Sequence, residues 1–205
     1  MTTALVTAII GGIDEVKPVP EQTVPFTRYL FTEPLDGNNP RQQALYYKTQ
    51  IHKTCEADLY IWIDGKVQIT SPDFIKQCVD ALGFGNISIL KHHERNCIYK
   101  EVDHIEMCIS KGNPYLTPRY AHRPLRKQVE AYRTQGYPVN AGLNDCCIFI
   151  VRGQTMADIF DKWWYECQMD WFDQISIRFL CWFYQQPINN IVFKPGSFAD
   201  IPHVK

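Results

Sequence analysis

The run LYIWIDGK, residues 59–66, ends five apolar residues in an acid, Asp64, and follows it at once with Gly65 and Lys66. An acid at the tip of a buried strand is held rigidly. It faces the crevice where open α/β sheets bind their ligands. The same Asp-Gly pair is also a strong turn signal, which reads as a plain junction between YIWI and KVQI. Lys48 and His52 lie four apart, so they share one helical face. That face is either a solvated one or a phosphate-binding edge. Asp173-Gln174 opens a helical run, where a carboxylate is either a partner for the positive helix end or a functional acid. His92-His93 follows the run SILK. Two adjacent histidines point apart, so at most one faces a site, and a surface role is the plainer reading. His203, close to the C-terminus, reads as an exposed terminal residue.

These residues need elements to position them. ALVTAIIGG reads as a buried strand and turn, and FTRYLFT as a second strand. Asn39-Pro40 marks a helix start, and RQQALYYKTQIHKTC has helical periodicity, with Leu45 and the 48–52 turn facing inward. LYIWI is a third strand, and VQI a short one beyond it. SPDFIKQCVDALG is a helix with Ser71 at its N-cap, Pro72 in its first turn and Gly83 at its end. NISILK is a strand, and ERNCIYKEVDHIEMCISKG is helical. NPYLTPRYAHRP reads as a loop, LRKQVEAYRTQG as a helix and CCIFIVR as a buried strand. TMADIFDKWWYECQMD and FDQISIRFLCWFYQQ are helices, and NIVFKPG is a late extended piece. Strands that alternate with helices predict an α/β fold: a mostly parallel, Rossmann-type central sheet flanked by helices, in one domain over residues 1–205. Ligands then bind at the strand tips: Gly11-Gly12, Thr32 and Asp64-Gly65.

Composition narrows the function classes. The 22 acids and 21 bases leave a net charge of −1, which argues against nucleic acid as the main partner. The eight cysteines include no Cys-x-x-Cys pair and no zinc spacing, and several sit in apolar runs. Buried reduced thiols, and hence a reducing, cytoplasmic location, are expected. The N-terminal apolar run reads as a strand, not a signal peptide, and no run is long enough to span a bilayer. There is no P-loop, no Gly-x-Gly-x-x-Gly after a strand, no Gly-x-Ser-x-Gly and no His-Glu-x-x-His.

Several stretches, taken in order, carry a resemblance. They are Lys48-x-x-x-His52, YIWIDGKVQI, KHHERNCIYKE with His92, Arg95 and Glu101, and QVEAYRTQG with Gln128 and Tyr132. CCIFIVR ending in Arg152, WWYE with Trp163 and Glu166, and DQIS with Asp173, Gln174 and Ser176 complete the set. The chain resembles a family of hexosyltransferases best represented in plants and tied to seed-mucilage and turgor phenotypes. It is also similar to the small glycosyltransferase domain of chlorella viruses. The resemblance implies a GT-A-like fold that binds a nucleotide-sugar, with a divalent metal, Mn²⁺ or Mg²⁺. Asp64 takes the first place of the Asp-x-Asp motif that touches ribose and metal. Lys66 stands at the third place, a departure from the pattern. By the same analogy His203 completes the metal site.

Sugar transfer from a nucleoside diphosphate develops positive character at the anomeric carbon and negative charge on the leaving phosphate. Asp64 (through a metal), Lys48 and Arg95 are the expected stabilisers of that anion, with His92 beside them. Thr7, Ala8 and Gly11 are expected near the nucleotide, UDP being the common choice in such folds. Asp173 with Gln174 is the expected catalytic pair. Asp173 acts as general base to an acceptor hydroxyl if the enzyme inverts, and positions the donor sugar if it retains. Trp163, Trp164 and Trp171 are core residues or sugar platforms. The donor is a UDP-hexose, and the acceptor a glycan or another hydroxyl compound. Two other readings stay open: a non-catalytic nucleotide-sugar or glycan-binding module, for which Lys66 speaks, and a metal-dependent phosphohydrolase using Asp64 and the histidines.

Overall fold

The structure is a computed structural model that describes residues 1–34 and 39–200. Eight strands are described: β1 (Thr3–Ala8), β2 (Thr27–Phe31), β3 (Leu59–Ile63), β4 (Val67–Ile69), β5 (Ile87–Lys91), β6 (Asn144–Arg152), β7 (Asn189–Ile191) and β8 (Phe198–Asp200). The helices are α1 (Pro40–Thr49), α2 (Ile51–Thr54), α3 (Phe74–Leu82), α4 (Ile98–Ser110), α5 (Leu116–Tyr120), α6 (Leu125–Thr134), α7 (Gly153–Gln168) and α8 (Asp173–Phe183). Six strands form one sheet in the order β2-β1-β3-β6-β5-β7, and β4 pairs with β8 in a separate ribbon. The pairs β2–β1, β1–β3 and β5–β7 are parallel, while β6 runs antiparallel to both β3 and β5. The expected α/β class with a mostly parallel central sheet is the one observed, and β6 makes that sheet mixed.

The pleat decides what each face does, because side chains alternate along a strand. Ala4, Val6, Ala8, Tyr60, Trp62, Ile89, Phe149 and Val151 share one core with α4, α6, α7 and α8. Leu5, Leu59, Ile61, Ile63, Ile148 and Ile150 share the other with α3 and β4. The central strands are therefore buried on both faces and read as continuous apolar runs, as in LYIWI and CCIFIV.

Local signals explain most element ends. The Asn39 side chain accepts from Gln42 N at 2.8 Å and caps α1. Several boundaries differ from the sequence reading, three of them for a visible local reason. The 41–55 helix breaks at Gln50, whose side-chain amide donates to Phe160 O at 3.2 Å. The helix expected from Ser71 starts at Phe74, because Ser71 Oγ accepts from Asp73 N in a preceding turn. The segment read as a loop at 113–124 contains α5. There Asn113 Oδ1 accepts from Tyr115 N at 3.0 Å and Leu116 N at 2.9 Å, and Pro118 stays within the first turn, where its missing N–H costs little.

Asp64-Gly65 does make a turn, with Val67 N donating to Asp64 O at 2.9 Å. It is no hairpin, since β4 leaves β3 to pair with β8. Gly65 is demanded by packing: a Cβ there would lie 2.9 Å from Asp14 Oδ2 and 3.0 Å from Ile9 Cγ1. Gly11 has a φ of +72°, and its missing Cβ leaves room for Pro40, so the loop after β1 can lie against α1.

Candidate active site

A cleft of about 290 Å³ opens at the carboxyl ends of β1 and β3 and the amino end of β6. Ala8, Trp62 and Asp64 from the sheet, Asp145 and Cys146 from β6, and Lys48, Asp173 and Gln174 from the helices line it. Its volume is at the lower end for small-molecule sites. Period-2 alternation puts Asp64 on the cleft side: it continues the row Tyr60, Trp62, and Asp64 N donates to Cys147 O at 2.9 Å, extending the β3–β6 ladder by one residue.

Lys48 is the hub. Its ammonium donates to Asp173 Oδ2 at 2.9 Å and Asp64 Oδ1 at 3.4 Å. Trp62 Nε1 donates to the same Asp64 oxygen at 2.7 Å. Burial pulls the Lys48 amine down, but Asp173 and Asp64 outweigh it and hold the group well above its ordinary value. Burial also pushes the Asp173 carboxyl up, yet Lys48, with Arg41 and Arg123, leaves it below its ordinary value. The trio is thus two carboxylates sharing one buried cation.

The start of α8 is clamped from behind. Phe172 N donates to Gln128 Oε1 at 2.8 Å, and Trp163 Nε1 donates to Asp173 O at 2.9 Å. The Gln128 amide also meets Tyr132 and Ser176 at 3.1 and 3.0 Å, and Tyr132 donates to Glu166. Gln128, Tyr132, Trp163, Glu166 and Ser176, singled out by resemblance, therefore form the buried support of Asp173. Gln174 lines the cleft, and its amide nitrogen is buried with no hydrogen-bond partner. Trp163 is fully buried core, while Trp164 packs edge-on against Tyr46 and Trp171 against Tyr132.

Other expected site residues lie elsewhere. Thr7 alternates to the opposite sheet face from Ala8 and lines a small separate cavity with Lys17 and Arg28. Gly11 packs against Pro40 beside the cleft. His92 and Arg95 do not line the cleft. His92 Nδ1 accepts from Glu94 N and Arg95 N at 3.2 and 3.0 Å, and Arg95 pairs with Glu101 and Glu94. That cluster fixes the turn between β5 and α4, and burial lowers the His92 imidazole. His52 lies 3.4 Å from Asp161 at α7, and burial lowers it too. His203 lies outside the described residues.

Among the described residues the expected metal finds no ready ligand set, His203 lying outside them. The Asp64 oxygen nearest the hub already has an indole N–H and an ammonium beside it. Lys66 stands at the third motif position, and among the described residues no group of three His, Cys, Asp or Glu side chains is arranged to hold an ion. Sequence reasoning missed Arg41, Tyr115, Arg119, Tyr120, Asp145 and Cys146, all of which line the cleft. Three of these come with α5, which was read as a loop.

No protein-family model and no curated protein sequence matches the chain. Among solved structures, mouse xyloside xylosyltransferase 1 (apo form) aligns with a TM-score of 0.46 and 8% identity over 93% of this chain and 85% of that one. The 4-diphosphocytidyl-2C-methyl-D-erythritol synthase of Anaerococcus prevotii DSM 20548 aligns with a TM-score of 0.47 and 9% identity, over 96% and 90% of the two chains.

Proposed function

We propose that the chain is a nucleotide-sugar-dependent glycosyltransferase of GT-A type, which moves a hexose from a UDP donor to a hydroxyl of a glycan or similar acceptor. The observation that carries the reading is the Asp64–Lys48–Asp173 hub at the carboxyl end of the parallel strands. It presents two fixed carboxylates to a cleft, where positive character at an anomeric carbon is stabilised by them.

The direction of the Asp173 shift supports the donor-positioning role of the two expected for it. A carboxylate held below its ordinary range is a poor proton acceptor at neutral pH. In this reading Asp173 acts on charge and donor position. Gln174, with its unpartnered amide nitrogen, donates to a sugar or phosphate oxygen. Ala8 and the Gly11 turn border the nucleotide.

A thermal-shift panel of nucleotides and nucleotide-sugars, each with Mn²⁺, with Mg²⁺ and with EDTA, tests the reading. A ligand at a hundred times its Kd adds about 2.7 kcal/mol of stability. Stabilisation by UDP compounds is expected. Asp173→Asn should abolish sugar transfer while UDP binding survives; a variant that transfers at the wild-type rate removes Asp173 from the mechanism. Binding without transfer by the wild-type protein, over a broad acceptor panel, would instead support the non-catalytic module.

A further inference from the structure

We infer that the donor's phosphate oxygens sit on the helical side of the cleft, against Arg41 of α1 and Arg119 of α5, and not against Asp64 at the sheet tip. The inference rests on the glycosyltransferase reading.

Charge decides the matter. The cleft at the sheet tips is lined by Asp14, Asp64 and Asp145, with Asp173 of α8 beside them, against the ammonium groups of Lys48 and Lys66. Lys48 is already shared by two of those acids. A diphosphate placed there meets like charge, and the described residues do not supply the ligands of a bridging divalent ion. The helical side has the opposite balance. Arg41 and Arg119 line it, and Arg123 stands behind them. Among the described residues no carboxylate lies within salt-bridge distance of these three guanidinium groups.

Aromatic rings hold the arginines in place. Arg41 and Arg123 lie over the Tyr120 ring at 5.5 and 5.9 Å, and Arg119 over Tyr115 at 4.2 Å. Arg119 Nη1 also donates to Tyr115 Oη at 2.9 Å. Tyr120 is edge-on to Phe172, next to Asp173. Like charges are thus gathered on one rigid surface with no carboxylate among the described residues in direct contact, although the charge of Asp173 still acts on Arg41 and Arg123. Burial and the Arg41 charge push the Arg123 guanidinium down, and Arg123 Nε is buried without a partner. Flat guanidinium forks match phosphate oxygens two at a time, which makes a diphosphate the fitting occupant.

Titration calorimetry in EDTA tests this, with UDP and inorganic pyrophosphate as probes. The proteins are wild type, Arg41→Gln, Arg119→Gln, the double variant and Asp64→Asn. Each single arginine change is expected to weaken both ligands by about tenfold or more, as loss of a charged hydrogen bond does. Asp64→Asn should bind within a few-fold of wild type, and affinity should fall with added salt. The melting temperatures of the unliganded arginine variants should stay close to wild type, and this separates lost binding from lost folding. Unchanged UDP affinity in the double variant overturns the inference but leaves the glycosyltransferase reading standing. So does binding that needs Mn²⁺ and disappears in Asp64→Asn. Arginine-dependent binding of an oligouronate beside arginine-independent UDP binding overturns it too, in favour of an anionic acceptor. Pyrophosphate binding without any nucleotide binding supports the seat and removes the glycosyltransferase reading. Failure of wild type to bind either probe removes both.

Discussion

At the scale of single residues, Lys48 carries the greatest energetic risk. Its ammonium is almost wholly buried between two acids, and removing one partner of such a pair leaves a charge stranded in low dielectric. Lys48→Met should therefore lose about 3–5 kcal/mol of unfolding free energy near neutral pH. Urea unfolding measures it, and a loss under about 1 kcal/mol, the range of exposed pairs, would show the hub to be solvated. The pH dependence follows from the directions of shift. Asp173 is depressed in the folded protein, so its contribution is present above its unfolded value of about 3.9 and is lost as pH falls through the folded value. Lys48 is raised, so its contribution is complete below about 10.4 and is lost as pH rises through its folded value. In Lys48→Met the stranded Asp173 is favoured to take up a proton. The gap between variant and wild type should thus narrow as pH falls from 7 towards 4.

At the scale of elements, the start of α8 is made by a partner distant in sequence. Gln128 on α6 accepts the Phe172 N–H, which lies ahead of the first helical turn and has no intrahelical acceptor. Gln128→Leu keeps the volume but orphans that donor, at a cost of about 1–3 kcal/mol. Transfer should fall further than UDP affinity does, because Asp173 shifts while the arginine side of the cleft stays in place. Steady-state kinetics beside calorimetry reads the split, and an equal fall in both would mean general loosening. This network also marks what the sequence could disclose. Asp64 was legible because an acid that closes a continuous apolar run stands at a strand tip, and Asn39-Pro40 because capping is local chemistry. α5 was not legible: Asn113, Pro114 and Pro118 are loop-forming residues by composition, and only the Asn113 side-chain bonds turn them into a helix start. Arg119 and Tyr120 were hidden with it. Thr7 was assigned to the cleft from its nearness in sequence, although the same alternation that places Ala8 there turns Thr7 away.

At the scale of the whole molecule, strand direction was what the sequence left open. CCIFIV is buried on both faces, so its periodicity carries no sign of direction, and only the β3–β6 register shows that it runs against its neighbours. That reversal brings the amino end of β6, with Asp145 and Cys146, to the cleft. No helix among the described residues is long and apolar enough to cross a membrane. The same central sheet and its helices bury six of the eight free thiols, leaving Cys55 and Cys108 half-buried. A thiol reacts as its thiolate, and burial disfavours that form. It pushes Cys181 up to about 12, and it pushes Cys55 up to about 11 against an opposing hydrogen bond from Thr54. Cys146 is raised in the same way although it borders the cleft, because burial outweighs the nearby Lys48. A thiol reagent at pH 8 should therefore reach only the half-buried Cys55 and Cys108, and Cys55 slowly. The other six should react only at the rate at which the fold opens. In guanidinium all eight should react at once. Rapid native modification of Cys146 or Cys147 would mean that the amino end of β6 opens locally. In that case the cleft could not hold Asp64 and Asp173 as a fixed pair.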